Sequence, residues 1–230
     1  MTEDFIESLL CRDVICTSST REDFTYSAHA IDPELYLRYA KEDIDQQAFR
    51  DTHRAINSIS NSKKAIDCRI EDILCYWGIS HPDNKNARIH FPGKVEILSK
   101  LGINTPLLIN NINKQRNRVE HYFTEPSLKD ARDFYELAEL YIGYTSRYIP
   151  EVHETHEELF DLGEYNDVGE GVGQEPWYSL ELNRLDASIN VSLHLPGTHS
   201  DSRLEQISFL KDRNLFFKLV SSYYEVSVIR

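Results

Sequence analysis

The residues best suited to chemistry lie close together between Pro106 and Pro126: Lys114, Arg116, Asn117, Arg118, His121 and Tyr122. A histidine titrates near neutrality and can give or take a proton. Arginine and asparagine supply N–H donors that hold negative charge in a fixed place. Thr105-Pro106 joins a capping residue to proline at the first helical position, so the spacing predicts a helix from there to about Phe123, ahead of Pro126. On a wheel turning ~100° per residue, Leu108, Ile112, Val119, Tyr122 and Phe123, with Gln115 among them, share one arc and form the buried stripe. Asn117 and His121 fall about 40° apart on the far side. Arg116 borders the core arc, and Arg118 lies one turn from His121. A lone histidine on a charged helical face is usually an ordinary surface residue. Two features set His121 apart: the local charge is positive, and the order is Arg-Asn-x-x-x-His.

That local charge stands out because the chain as a whole is acidic. Its 230 residues carry 25 Lys and Arg against 38 Asp and Glu, a net charge of −13, which by itself argues against a nucleic-acid partner. The distribution is uneven. From Glu151 to Asp186 eleven acids face only Arg184, whereas from Asn84 to Arg118 seven bases face only Glu96. A basic region beside an acidic belt is more informative about partners than the sum. The acidic stretch 151–175 is complementary to the basic region and is expected to lie across it and suppress its activity.

The elements that must position these residues follow from periodicity and punctuation. With 40% hydrophobic residues the chain can bury a core. It holds no apolar run of the ~18–20 residues that a membrane span needs, and its acidic N-terminus is unlike a secretory signal. Cys11, Cys16, Cys68 and Cys75 form no Cys-x-x-Cys pair, so reduced thiols and a cytoplasmic location are expected. Asp32-Pro33 predicts a helix start. Apolar residues at Ala48, Ala55/Ile56, Ile59, Ile66, Ile70, Ile73/Leu74 and Trp77 then predict one long amphipathic helix ended by Gly78. Residues 80–93 read as a loop, and Lys94–Leu101 as a short helix stopped by Gly102. Ser127-Leu128-Lys129-Asp130 predicts a capped helix to about Tyr148, burying Ala131, Phe134, Ala138, Tyr141 and Tyr148. After Pro150 the texture changes. Trp177–Leu182, Ile189–Leu195, Leu204–Leu210 and Ser222–Ile229 read as strands, and Leu215–Val220 suits either a strand or a helix. The expected class is α+β: an N-terminal extension (1–31), an antiparallel helical bundle (32–149), an acidic linker (150–174) and a small, mainly antiparallel β domain (175–230).

Arg116-Asn117-Arg118-Val119-Glu120-His121, within that order of helices, resembles the Arg-x4–6-His motif of the HEPN superfamily in its form with Asn after Arg. The resemblance covers residues ~32–149 and leaves out the β part. It implies a metal-independent endoribonuclease without cofactors, with Arg116 and His121 in the places of the catalytic pair and Asn117 assisting. RNA brings its own nucleophile, the 2′-OH, so no serine or cysteine is needed. Arg118, Lys114 and Tyr122 are the secondary, RNA-binding candidates. Arg116 and His121 are about 140° apart on an ideal helix, and family members overcome this by dimerising. The resemblance therefore implies a homodimer with a composite site on the Asn117–His121 face. In a subgroup that carries Tyr two residues after the His, this chain has Phe123.

The expected role is that of a toxin or antiviral defence effector acting on RNA such as tRNA or mRNA, with an antitoxin or sensor protein as a possible partner and no membrane. The alternative is a non-catalytic dimerisation or nucleotide-binding scaffold, or an inhibitor working through its acidic surface. Weaker signals do not compete. His153, His156 and Glu157 miss the spacing of a zinc-protease motif, and the glycines at 169–173 lack the Lys-Ser/Thr of a phosphate loop.

Overall fold

A computed structural model describes residues 20–21, 31–80, 89–103, 125–149, 156–157, 177–183, 185–194 and 202–227. Among them are five α-helices and one three-stranded antiparallel sheet, a mixed α+β arrangement that is mostly helical. The N-terminal residues before 20, the loop at 81–88, the helix expected from Thr105 to Phe123 and most of the acidic linker lie outside the described residues.

Helix α1 (Pro33–Asp45) starts as the sequence indicates: the Asp32 carboxylate accepts from the Leu35 N–H at 2.6 Å, and proline opens the first turn. Helix α2 (Asp51–Tyr76) buries Ala55, Ile59, Ile66, Ile70, Ile73 and Leu74. The long helix expected from Ala48 onward begins instead at Asp51, and Ala48 lies in an exposed turn. The side chain of Arg54 accounts for the break. It donates to the Ile44 carbonyl at the end of α1 and to Asp51 at 2.8 Å, closing α1 from the first turn of α2.

Glycine ends α2 as expected, by a defined mechanism. Gly78 has φ 72°, the Ile79 N–H donates to the Leu74 carbonyl at 2.8 Å, and the Gly78 N–H to that of Cys75 at 2.9 Å. This is a Schellman closure, with Ile79 and Leu74 both buried. Helix α3 (Phe91–Lys100) repeats it at Gly102, φ 81°, where the Ile103 N–H reaches the Leu98 carbonyl at 3.0 Å. Helix α3 starts three residues before the expected Lys94. Helix α4 (Leu128–Thr145) has the expected capping box: the Asp130 N–H donates to the Ser127 hydroxyl at 3.1 Å, and the Ser127 N–H to the Asp130 carboxylate at 2.9 Å. A 3₁₀ turn (Ser146–Tyr148) follows, and Ala131, Phe134, Ala138, Tyr141 and Tyr148 are all buried. Helices α1 and α4 both pack on α2.

Strands β1 (Thr20–Arg21) and β2 (His156–Glu157) form a short antiparallel pair, so part of the expected linker is strand. Strands β3 (Trp177–Asn183), β4 (Ser188–His194) and β5 (Ser202–Ser208) form the sheet in that order. Leu180 faces Val191, Leu182 faces Ile189, and Ile189 faces Ile207, which gathers the apolar side chains on one face. The strand expected at Ser222–Ile229 is not formed. Helix α5 (Arg213–Ser227) runs through it and settles the ambiguous stretch Leu215–Val220 as helix. Phe216, Phe217, Leu219 and Val220 are buried, and Phe209 stacks edge-on with Phe216 and Phe217 at 5.6 and 5.8 Å between centroids. Burial at helical spacing outweighs the strand preference of Tyr223, Tyr224 and Val226.

Two elements of this account are open to stability measurement. Ser127→Ala should cost ~1 kcal/mol at pH 7. Its hydrogen bonds from the Ser127 hydroxyl and N–H hold the Asp130 carboxyl below the ordinary range. Stability linked to that depressed carboxyl is full above its unfolded pKa of about 3.9 and is lost as pH falls through the lower folded value. Urea titrations should therefore show the mutational cost shrinking below about pH 4. At Gly102 a Cβ would stand 3.3 Å from the Ser221 Cβ, on a backbone of φ 81°. Gly102→Ala should lose ~1–2 kcal/mol in the same titrations.

Candidate functional site

Lys114, Arg116, Asn117, Arg118, His121 and Tyr122 lie at 104–124, outside the described residues. The two points between which that segment runs are described. On one side Leu101 and Ile103 are fully buried around the Gly102 closure, and Gly102 abuts Ser221 of α5. On the other, the Ser127 capping box fixes the start of α4.

Two of the seven bases between Asn84 and Arg118 are described, and both are engaged. Lys94 forms an ion pair with Glu71 of α2. Lys100 pairs with Glu96 at 2.8 Å, with its ammonium 5.7 Å from the centre of the Phe217 ring. The hydrogen bond from Lys100 holds the Glu96 carboxyl below the ordinary range. The positive field of the region therefore depends chiefly on its other bases, Arg116 and Arg118 included, and less on α3 than a count along the chain implies.

A separate cavity of about 410 Å³ opens along α2 between Tyr36 of α1 and Lys94 of α3. The periodic residues Lys64, Asp67, Cys68 and Glu71 line it. The charges there are largely matched: Asp67 pairs with Lys63, Glu71 with Lys94, and Lys64 sits over the Tyr36 ring at 5.7 Å. Its one potential nucleophile is inert. Burial, reinforced by Asp72, pushes the Cys68 thiol up to about 12, and the S–H donates to the Ile31 carbonyl at 3.4 Å.

Sequence reading missed a set of buried polar side chains on α2. Ser58 and Ser62 are fully buried, Arg69 and Asp72 nearly so, and Arg69 forms an ion pair with Glu34 of α1. Tyr141 of α4 lies beside Arg69, and burial raises its phenol well above the ordinary value. The signal was present in the sequence: Arg69 stands three residues after Ile66 and four before Ile73, in phase with the apolar stripe. A charge in that phase marks a helix packed on more than one side. These buried groups lie where α1 and α4 pack on α2, which suits a structural role. Among the described residues no group of three or more His, Cys, Asp or Glu side chains could hold a metal ion. His156 falls in β2, paired in register with Arg21.

No family model matches the chain, and neither a curated protein nor a solved structure matches it.

The inertness of Cys68 can be measured by alkylation with iodoacetamide and peptide mass spectrometry. At pH 8.5 a thiol raised from 9.0 to about 12 holds ~10³-fold less thiolate. Cys68 should therefore react ~10³-fold more slowly in the native chain than in urea. Comparable native and denatured rates at Cys68 would contradict its burial.

Proposed function

We propose that the chain is a metal-independent endoribonuclease of HEPN type, acting as a toxin or defence effector in the cytoplasm. One observation carries this reading: Arg116, Asn117 and His121 occur in the order Arg-Asn-x-x-x-His, in a basic region directly ahead of a capped helix. The residue types meet the demands of RNA cleavage by transesterification. His121 takes the proton from a ribose 2′-OH or delivers one to the leaving oxygen. The 2′ oxygen attacks the adjacent phosphorus, the bond to the 5′ oxygen breaks, and the products carry a 2′,3′-cyclic phosphate and a 5′-hydroxyl. No water is consumed. Arg116 and Asn117 donate hydrogen bonds to the phosphorane oxygens as negative charge collects on them. Lys114 and Arg118 bind backbone phosphates, and Tyr122 belongs to the same RNA-facing group.

The separation of Arg116 and His121 around a helix favours a composite site. Two copies related by a two-fold axis would bring Arg116 of each toward His121 of the other. The HEPN-like bundle, residues ~32–149, is the scaffold in this reading. It is supported by the order of helices α1 to α4, by the caps of α1 and α4, and by the glycine stops at Gly78 and Gly102.

The test compares purified wild type with His121→Ala and Arg116→Ala, each checked for folding and mass, on labelled tRNA and a structured RNA. Wild type should cleave. His121→Ala should be slower by ~10²–10⁴-fold, and Arg116→Ala by ~10²–10³-fold. Equal cleavage by all three would place the activity elsewhere. No cleavage by the wild type would favour the non-catalytic scaffold or inhibitor.

A further inference from the structure

Helix α4 carries its apolar residues inward, yet one large apolar side chain points the other way. Leu140 is 72% exposed, the highest value among the exposed large hydrophobic residues described. It shares a face with three other exposed residues, Glu136, Gly143 and Arg147. Steps of ~100° per residue place Glu136, Leu140 and Gly143 within an arc of about 60° on α4, and Arg147, in the 3₁₀ turn that follows, comes round to the same side. Their spacing of four, three and four is that of a coiled-coil seam.

The spacing reads the same in both directions, which matters for self-recognition. Two antiparallel copies of α4, related by a two-fold axis passing between positions 141 and 142, set Leu140 of each against Gly143 of the other. The same axis sets Glu136 of each against Arg147 of the other. Both matches are favourable. Gly143 has nothing within 4 Å of the place a Cβ would take, so the opposing leucine meets open space and the helices can approach closely. Glu136 has no hydrogen bond or ion pair with another described residue. The Arg147 guanidinium lies on the Tyr144 ring, 4.0 Å from its centre. The guanidinium also hydrogen-bonds the Tyr148 side chain, which leaves others of its five N–H donors for a carboxylate.

We infer that the Glu136–Leu140–Gly143–Arg147 face of α4 is a docking surface for a second copy of this chain, paired antiparallel and held by two Glu136–Arg147 ion pairs around a Leu140–Gly143 contact. One pair of helix faces buries less than the ~1,200 Å² of a standard interface, so the association is weak and concentration-dependent. It is distinct from a composite site on the Asn117–His121 face and stands whether or not the chain cleaves RNA.

Sedimentation equilibrium of the full chain, from micromolar to near-millimolar protein, tests it with mass as the readout. Wild type should dimerise at the upper end. Glu136→Arg and Arg147→Glu each set like charges against one another twice per dimer and should weaken dimerisation by at least about tenfold. The double variant reverses both charges and should return to within about threefold of wild type. Leu140→Asp, at an exposed position where folding is not at stake, should abolish this concentration-dependent association, whatever dimer forms through the Asn117–His121 face. A monomeric wild type at every concentration would overturn the proposal. So would a dimer indifferent to the single reversals, whose contact lies elsewhere, or a double variant as weak as the singles.

Discussion

Two arginines of α2 hold α1 along its length, and the rest of the bundle is arranged around that hold. Arg54, in the first turn of α2, donates to the Ile44 carbonyl at the end of α1, while Arg69, four turns further on, pairs with Glu34 in the first turn of α1. Between these two points Leu37 and Ile44 of α1 share one buried cluster with Ile59 and Ile66 of α2. Apolar burial supplies most of the driving force, at roughly 25 cal/mol per Å², but it has no direction. The guanidinium groups have one. A buried arginine left without its partner carries a large desolvation penalty, so the pairing with Glu34 disfavours slippage of α1 along α2. Helix α3 is tied to the same frame by Lys94 and Glu71.

Helix ends give the frame its second constraint. At Gly78 and again at Gly102 a glycine with positive φ ends the helix and turns the chain inward, burying Ile79 and Ile103. The second closure also meets α5, where a Cβ at 102 would stand a tight 3.3 Å from the Ser221 Cβ on a backbone of φ 81°. Helix α5 thus meets the bundle beside Gly102, the last turn before residues 104–124.

What could be read from the sequence divides along physical lines. Signals satisfied within a few residues were legible: the Asp32 and Ser127 caps, the glycine stops, the alternation of Ile189–Val191, and the buried face of α4. Features decided by distant partners were not. The break after Asp45 depends on the reach of Arg54 across the turn, and no proline or glycine marks it. The C-terminal segment has strand-forming residue types but becomes helix, burying Phe216, Phe217, Leu219 and Val220, with Phe216 and Phe217 edge-on to Phe209. Asp212, a residue type favoured just before helices, was the available hint. The same limit applies to charge. A window from Asn84 to Arg118 counts Lys94 as free because its partner, Glu71, belongs to the preceding helix. At the candidate site, residue types and order were legible from the start, whereas residues 104–124 lie outside the described structure.

The central claim is that this chain cleaves RNA through the ribose 2′-hydroxyl with its own side chains. The most direct measurement uses a short labelled RNA cut by the wild-type protein in EDTA, beside the same oligomer with a single 2′-deoxyribose at the cleaved position. Cleavage of the all-ribose strand to a 2′,3′-cyclic phosphate and a 5′-hydroxyl, with the deoxy-substituted strand left intact at that position, is the result expected. Equal cleavage of both strands, or products bearing 5′-phosphates, would contradict it.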